Sequence, residues 1–348
     1  MKILIKNQEY ELQDIGKFGR EGEIYSIKGY SSSKLAKIYD DERRTAYTER
    51  KVTAIINKFR SLHWGGLEDF VAFPEFPIYE AESRKFCGFL MKNFSVHSDL
   101  FDNRYDLRRS VFKNEKLDDS MAVSVVVTLF TFLQALHKAG FILGDINPDN
   151  ILLEAESFVP VLIDFDSIQL GTFYSNTNRQ AYIDTSVRAD GYGSKRHFIY
   201  TTDSDIYALA IVCYEFIIGI HPYFFQTSIP TDTEFKKARE LSMLDYVENN
   251  VSKTSGFGFN IFENPAYWAA LHRLQKIKDS HKELYKFFRE VFVENRRKYF
   301  STKESKYYKL GTKEIDLEDD VQAGDLLPTT KEDPDELELF MKQFGLSL

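Results

Sequence analysis

Only two cysteines, Cys87 and Cys213, occur in 348 residues. Neither stands in a C-x-x-C or similar spacing, so the sequence offers no thiolate metal site. A reducing, cytoplasmic compartment is the expectation. The most apolar stretches, 121–136 and 206–220, fall short of the ~20 residues that a membrane span needs. They read as buried helices, and no membrane partner is expected. Residues 1–10 lack the long apolar run of a signal peptide. A basic face is also missing. Net charge is −8, and residues 311–348 carry eleven acids against three bases, which leaves the rest neutral. A neutral body with an acidic tail excludes nucleic acid as the expected partner. No internal repeat is visible.

What is present is enough apolar surface for a sizeable core: 43% hydrophobic and 15% aromatic residues. The first ninety residues read mostly as strands: 2–6, 10–12, 23–27, 34–39, 71–79 and 85–92. One helix is expected over 42–59. After that the period changes. Ala122, Val125, Val126, Leu129, Leu133 and Leu136 make an i, i+3, i+4, i+7 stripe, with Asp119 or Ser120 as its cap. Ile206–Ile220 and Leu284–Val291 make two more. Strands first and helices after imply an α+β chain in two lobes. Residues 301–348 read as an acidic tail in which Leu337, Phe340, Met341 and Phe344 fall at helical spacing.

Polar residues then punctuate this scaffold in a definite order. Gly16, Gly19 and Gly22 lie between two strands, where glycine lets backbone N–H groups approach phosphate oxygens. Lys37 lies in the apolar run Leu35-Ala36-Lys37-Ile38 and needs a partner for its charge. Glu49 on the following helix is the candidate. Further on, Leu143-Gly144-Asp145-Ile146-Asn147-Pro148-Asp149-Asn150 forms one polar loop, and Asp164-Phe165-Asp166-Ser167 closes an apolar strand. A carboxylate and an amide oxygen suit Mg²⁺, a hard cation that keeps several of its waters. Each such residue taken alone is as well explained by turn chemistry; the ordered set is not.

The set resembles the protein-kinase signature, from about Tyr10 to Phe300. Ser204-Asp205-Ile206-Tyr207-Ala208-Leu209-Ala210, with Gly219-Ile220-His221-Pro222-Tyr223-Phe224 after it, is similar to the kinase helix and the turn that follows it. The Gly144-Asp145-x-Asn147-Pro148-x-Asn150 variant resembles a bacterial, eukaryotic-like Ser/Thr subgroup. The resemblance implies a two-lobed kinase-like fold: a β-rich nucleotide-binding lobe over 1–93, a helical catalytic lobe over 94–300, and the tail over 301–348. It also implies transfer of the γ-phosphate of ATP, with Mg²⁺, to a protein Ser or Thr. Lys37 would pair the α- and β-phosphates, held by Glu49. Asp145 would be the catalytic base, and Asn150 and Asp164 would hold Mg²⁺. Gly19 and Gly22 would cover the phosphates. Ile24, Ala36, Leu90, Met91 and Asn93 would line the nucleotide, the last three in the hinge. Asp205 would pin the catalytic loop through backbone N–H bonds.

Four departures stand out. Leu143-Gly144 replaces the usual His-Arg, so no arginine awaits a phosphorylated loop, and activity independent of loop phosphorylation is expected. Asn147 replaces a lysine and would offer the γ-phosphate only an amide. Asp166 replaces the glycine after Asp164-Phe165. No A-P-E is visible, and Ala189-Asp190 is the candidate substitute. Two alternatives stay open: a small-molecule phosphotransferase of the aminoglycoside or choline kind, and a pseudokinase scaffold. Autophosphorylation candidates are Thr172, Ser175, Thr177, Thr185 and Ser186. A metal-dependent Ser/Thr phosphatase or a von Willebrand A-type protein is a weakly implied partner.

Overall fold

Lys6 and Asn7 both hold positive φ, 51° and 66°. This is the conformation a two-residue hairpin turn requires, and it joins β1 (Lys2–Ile5) to β2 (Gln8–Phe18). The structure, a computed structural model, describes residues 1–18, 21–64, 66–175, 179, 181–184, 186–190, 197–223, 242–244 and 265–301. Gly19, Thr177, Thr185, Phe224 and the whole tail from 302 lie outside the described residues, as do the expectations placed on them. The described residues all fall in one compact unit.

Four more strands follow: β3 (Gly22–Lys28), β4 (Lys34–Tyr39), β5 (Phe76–Glu80) and β6 (Phe86–Lys92). All pairings are antiparallel, and the order β1-β2-β3-β4-β6-β5 closes into a barrel. Its interior is filled by Ile3, Ile5, Leu12, Ile27, Ala36, Ile38, Ile78, Cys87 and Leu90. Two glycines allow the close approach of strands: a Cβ on Gly22 would stand 2.1 Å from the Ile38 carbonyl oxygen, and one on Gly88 2.0 Å from that of Lys37. Helix α1 (Ala46–Arg60) lies against this barrel, and Thr45 caps it by accepting from the Thr48 N–H at 3.1 Å. It starts later than the sequence pattern suggests, because Asp41–Arg43 is a separate 3-10 turn.

The second half is built on α2 (Asp119–Lys138) and α3 (Thr202–Ile218). Asp118 caps α2, one residue before the expected cap. At 20 residues α2 is long and apolar enough to cross a membrane, contrary to the length argument from sequence, but 61% of its apolar window is buried inside the protein. Helix α3 starts with a reciprocal Thr201–Ser204 capping box. Every residue from Ser204 to Ile218 except Glu215 is buried, so this helix is the axis of the core. Helices α4 (Pro265–Ser280) and α5 (Lys282–Phe292) pack beside it, α5 through Leu284, Phe287, Phe288 and Val291.

Short strands carry the polar loops. β7 (Ser98–Asp99), β11 (Ile151–Leu153) and β12 (Pro160–Leu162) form one small sheet. β8 (Tyr105–Asp106) pairs β9 (Val111–Phe112), and β10 (Phe141–Ile142) pairs β13 (Gln169–Leu170). β14 (Arg188–Asp190) pairs β15 (His197–Ile199). The β10–β13 and β11–β12 pairs hold residues 143–150 and 163–168 side by side.

Candidate active site

The loop after β10 is fastened from below by one buried carboxylate. Asp205, near the start of α3, accepts the Leu143 N–H at 2.6 Å and the Gly144 N–H at 2.9 Å. Its Oδ2 also meets His137 Nε2 at 2.9 Å. A carboxylate only accepts, so Nε2 carries the hydrogen. Gly144 holds φ 73°, and a Cβ there would come within 2.8 Å of the Tyr200 ring. The position thus excludes a side chain on both counts. Asn147 and Asn150 both donate to the Asp145 carbonyl, at 3.0 and 2.9 Å. The Asn147 oxygen accepts the Asp149 N–H at 3.1 Å, and the residue is buried. Asn147 thus braces the loop from within, with its amide nitrogen on the Asp145 carbonyl.

The Ile163 N–H donates to the Asn150 carbonyl at 3.0 Å, which ties the two polar segments together. Asp164 follows with φ 63°, a left-handed conformation uncommon for a residue with a side chain. Ser167 Oγ donates to its carbonyl at 2.8 Å. Asp145, Asn150 and Asp164 line one hollow, with Leu133, Leu143 and Ile146 among its apolar walls. Here three of the residues singled out from sequence converge.

Lys37 reaches the same place from β4. Its Nζ donates to Asp164 Oδ1 at 2.6 Å and to Asp166 Oδ1 and Oδ2 at 2.7 and 2.9 Å. The Tyr39 hydroxyl donates to Asp166 Oδ2 at 2.7 Å. Burial works to lower the Lys37 pKa, but the two carboxylates outweigh it and hold the amine charged. Burial raises Asp164, and the neighbouring Asp166 adds to this despite Lys37. Burial also acts on Asp166, yet Lys37 and the hydrogen bonds to it win and keep that carboxyl below its usual range. Glu49 is elsewhere: it accepts the Tyr79 hydroxyl at 3.0 Å. The expected Lys37–Glu49 pair is corrected to Lys37 with Asp164 and Asp166.

The strand period corrects the nucleotide wall too. Ala36 and Leu90 pair across β4 and β6 and face the barrel interior, 0% and 1% exposed. Side chains alternate along a strand, so Leu35 and Met91, paired with each other, share the face of Lys37. Ile24 is paired with Lys37 and lies on that face as well. Leu35 was missed although period two could have found it. Asn93 braces the turn after β6, with its N–H on Ser33 and its amide on Ser32.

Comparisons with known proteins fit this geometry. The sequence profile described as the protein kinase domain matches residues 81–308. The chain belongs to the protein kinase family. It is 33% identical over 122 residues to the serine/threonine-protein kinase PknE of Mycobacterium tuberculosis, covering 35% of this chain and 21% of that protein. It is 29% identical over 137 residues to an Aurora kinase of Debaryomyces hansenii, covering 39% and 31%. With mrck-1 of Caenorhabditis elegans the identity is 27% over 144 residues, covering 39% and 9%. The chain spans under a third of the length of each of these relatives. The solved structure of vaccinia related kinase 3 superposes with a TM-score of 0.50 at 12% identity, over 82% of this chain and 92% of that one. This shows the two-lobed fold.

Two contacts anchor the segment that precedes α3 to the helical body. Asp184, buried, accepts Arg297 Nε at 3.2 Å and Nη2 at 3.1 Å. The Tyr182 hydroxyl donates to Glu215 at 3.1 Å. Among the described residues, Asp184 is an acid that ties the segment to the helical body. Ala189-Asp190, expected in that role, belongs instead to the β14–β15 hairpin.

Proposed function

We propose that this kinase transfers the γ-phosphate of Mg·ATP to serine or threonine hydroxyls of a protein. The observation that supports this most is one hollow lined by Asp145, Asn150 and Asp164 together, with Lys37 bonded to Asp164. The donor set fits Mg²⁺: Asp164 offers a carboxylate, and Asn150, its nitrogen held by the loop, offers an amide oxygen. When bound, the cation neutralises charge on the phosphates. Asp145 accepts the proton of the attacking hydroxyl or orients it. Lys37 neutralises phosphate oxygens, while Ile24, Leu35 and Met91 form the apolar wall beside the base. Asp205 fixes the loop so that Asp145 loses little freedom on binding. Catalysis of this kind is mostly positioning and charge stabilisation.

Ser/Thr choice rests on the relatives' names. A phosphatase or von Willebrand A-type partner rests on sequence resemblance, and co-purification would test it. The two buried free thiols, Cys87 and Cys213, suit the cytoplasmic setting we propose. The direct test is transfer from labelled ATP with Mg²⁺ to the protein itself and to a generic acceptor, with wild type beside Asp145→Ala and Asp164→Ala. Phosphoserine or phosphothreonine from wild type alone is expected. Undiminished transfer by either variant would overturn the assignment.

A further inference from the structure

We infer that Asp166, rather than a helix carboxylate, is the fixed counter-ion that positions Lys37, and that helix α1 joins this arrangement through a cation, Lys51. The inference rests on the reading in which Lys37 meets nucleotide phosphates.

Two carboxylates touch Lys37, and they are not equivalent. Asp164 has a side chain 30% exposed, lines the hollow and is the proposed cation ligand. The lysine holds its Oδ1, and a bound cation would draw on the same carboxylate. Asp166 has a side chain 1% exposed. Both its oxygens lie on the Lys37 amine, and Tyr39 holds Oδ2 as well. It stays in place when Asp164 turns to the cation. Buried lysine needs such a permanent partner, because an uncompensated charge there is costly.

Helix α1 shows the complementary change. Its inward face is Lys51, Val52, Ile55 and Ile56. Glu49 is held by Tyr79 of the barrel. The Lys51 amine is buried on this face; burial lowers its pKa, and the charge of Asp166 opposes that. With Asp166 in place, a second carboxylate on this face would meet like charge, and a lysine meets opposite charge. Lys51 Nζ also donates to the Tyr174 carbonyl at 3.1 Å, and the Tyr47 hydroxyl accepts the Tyr174 N–H at 3.1 Å. Phe173 packs on Tyr47 with ring centroids 5.5 Å apart. The helix is thus docked on the segment after Asp166 by contacts that require no phosphate.

The test compares kcat and ATP KM for Asp166→Asn, Glu49→Gln and Lys51→Met in the full chain, with ADP binding and thermal midpoints measured for each. We expect Asp166→Asn to lower kcat by roughly 100-fold with ATP KM changed less than about threefold, since a positioning loss is felt in the transition state. Glu49→Gln is expected within about twofold of wild type. Should Asp166→Asn not fold, Asp166→Gly, which restores the family's usual residue, decides; it too is expected to lose roughly 100-fold. Lys51→Glu in that glycine background puts a carboxylate on the buried face of the helix and is expected to regain about tenfold. Near-wild-type kcat in the Asp166 variants, or an equal loss in Glu49→Gln, would overturn the inference. No regain in the double variant would overturn the part assigned to Lys51. A wild type that binds no ADP would overturn the site reading itself, and this one with it.

Discussion

Two buried aspartates anchor the two halves of the site, and they do so differently. Asp205 holds the catalytic loop by accepting two backbone N–H groups and a histidine. Asp166 holds Lys37 and Tyr39, a cation and a hydroxyl. The first fixes a shape: its backbone partners are dipoles that exist whatever side chains the loop carries. The second fixes a charge, and its work depends on the identity of both partners. The Asp205 arrangement therefore tolerates a loop that reads Leu143-Gly144, whereas the Asp166 arrangement is lost if Lys37 or Tyr39 changes.

The largest expected effect lies on the chemistry that both anchors serve. Asp145→Ala removes the proton acceptor and is expected to lower transfer by about 10²–10⁴-fold, with the thermal midpoint little changed, as measured by labelled-phosphate rates. Asp205→Ala sharpens the comparison. It leaves two buried N–H groups without their acceptor, at about 1–3 kcal/mol each. A drop of roughly 2–6 kcal/mol in unfolding free energy is expected from denaturant titration. An unchanged midpoint would mean that the loop holds itself through Asn147 and Asn150, and the contrast drawn here would fail.

This contrast also marks what the sequence made legible. Asp145, Asn150 and Asp164 were readable because the loop and the following strand fix their relation over a short stretch of chain. Most strands of the first ninety residues, α2, α3 and α5 were readable from period, and closure of those strands into a barrel was not. Ala36 and Leu90 were misassigned because the lysine motif was matched by neighbourhood; strand alternation puts Leu35 and Met91 on the cleft face. Glu49 was chosen as an acid on the right helix, but nothing local in the sequence states that Tyr79 holds it. The partners of Lys37 lie 127 and 129 residues away, and that distance hides a transposed carboxylate. Asp184 with Arg297, 113 residues apart, was hidden in the same way.

That last pair gives the next prediction in size. Asp184→Ala leaves Arg297, whose side chain is 13% exposed, without its carboxylate. Breaking a buried pair costs about 3–5 kcal/mol. Arg297 keeps its bond to the Val291 carbonyl and its place over the Tyr207 ring, so a loss of about 3 kcal/mol in denaturant titration is expected. If the β14–β15 hairpin carried the segment instead, Asp184→Ala would leave stability unchanged and Asp190→Ala would lower it.

The smallest effect concerns the inverted charge on α1, and its sign is what matters. Burial pulls the Lys51 amine down from 10.5 to about 8, with Asp166 the leading opposing influence. In the unfolded chain the amine returns to its ordinary value. Between pH 8 and 10.5 the unfolded state therefore binds more protons at this residue than the folded state does. Stability from this group must rise with pH across that window. Below pH 8 both states are protonated and the cost of burying the charge is fully present; above 10.5 it is gone. Unfolding free energy measured from pH 7.5 to 10 should climb in wild type relative to Lys51→Met, which has no proton to lose. A flat difference would mean that Asp166 and the Tyr174 carbonyl compensate the buried charge in full. Lys51 would then be as settled in its site as Asp205 is in its own.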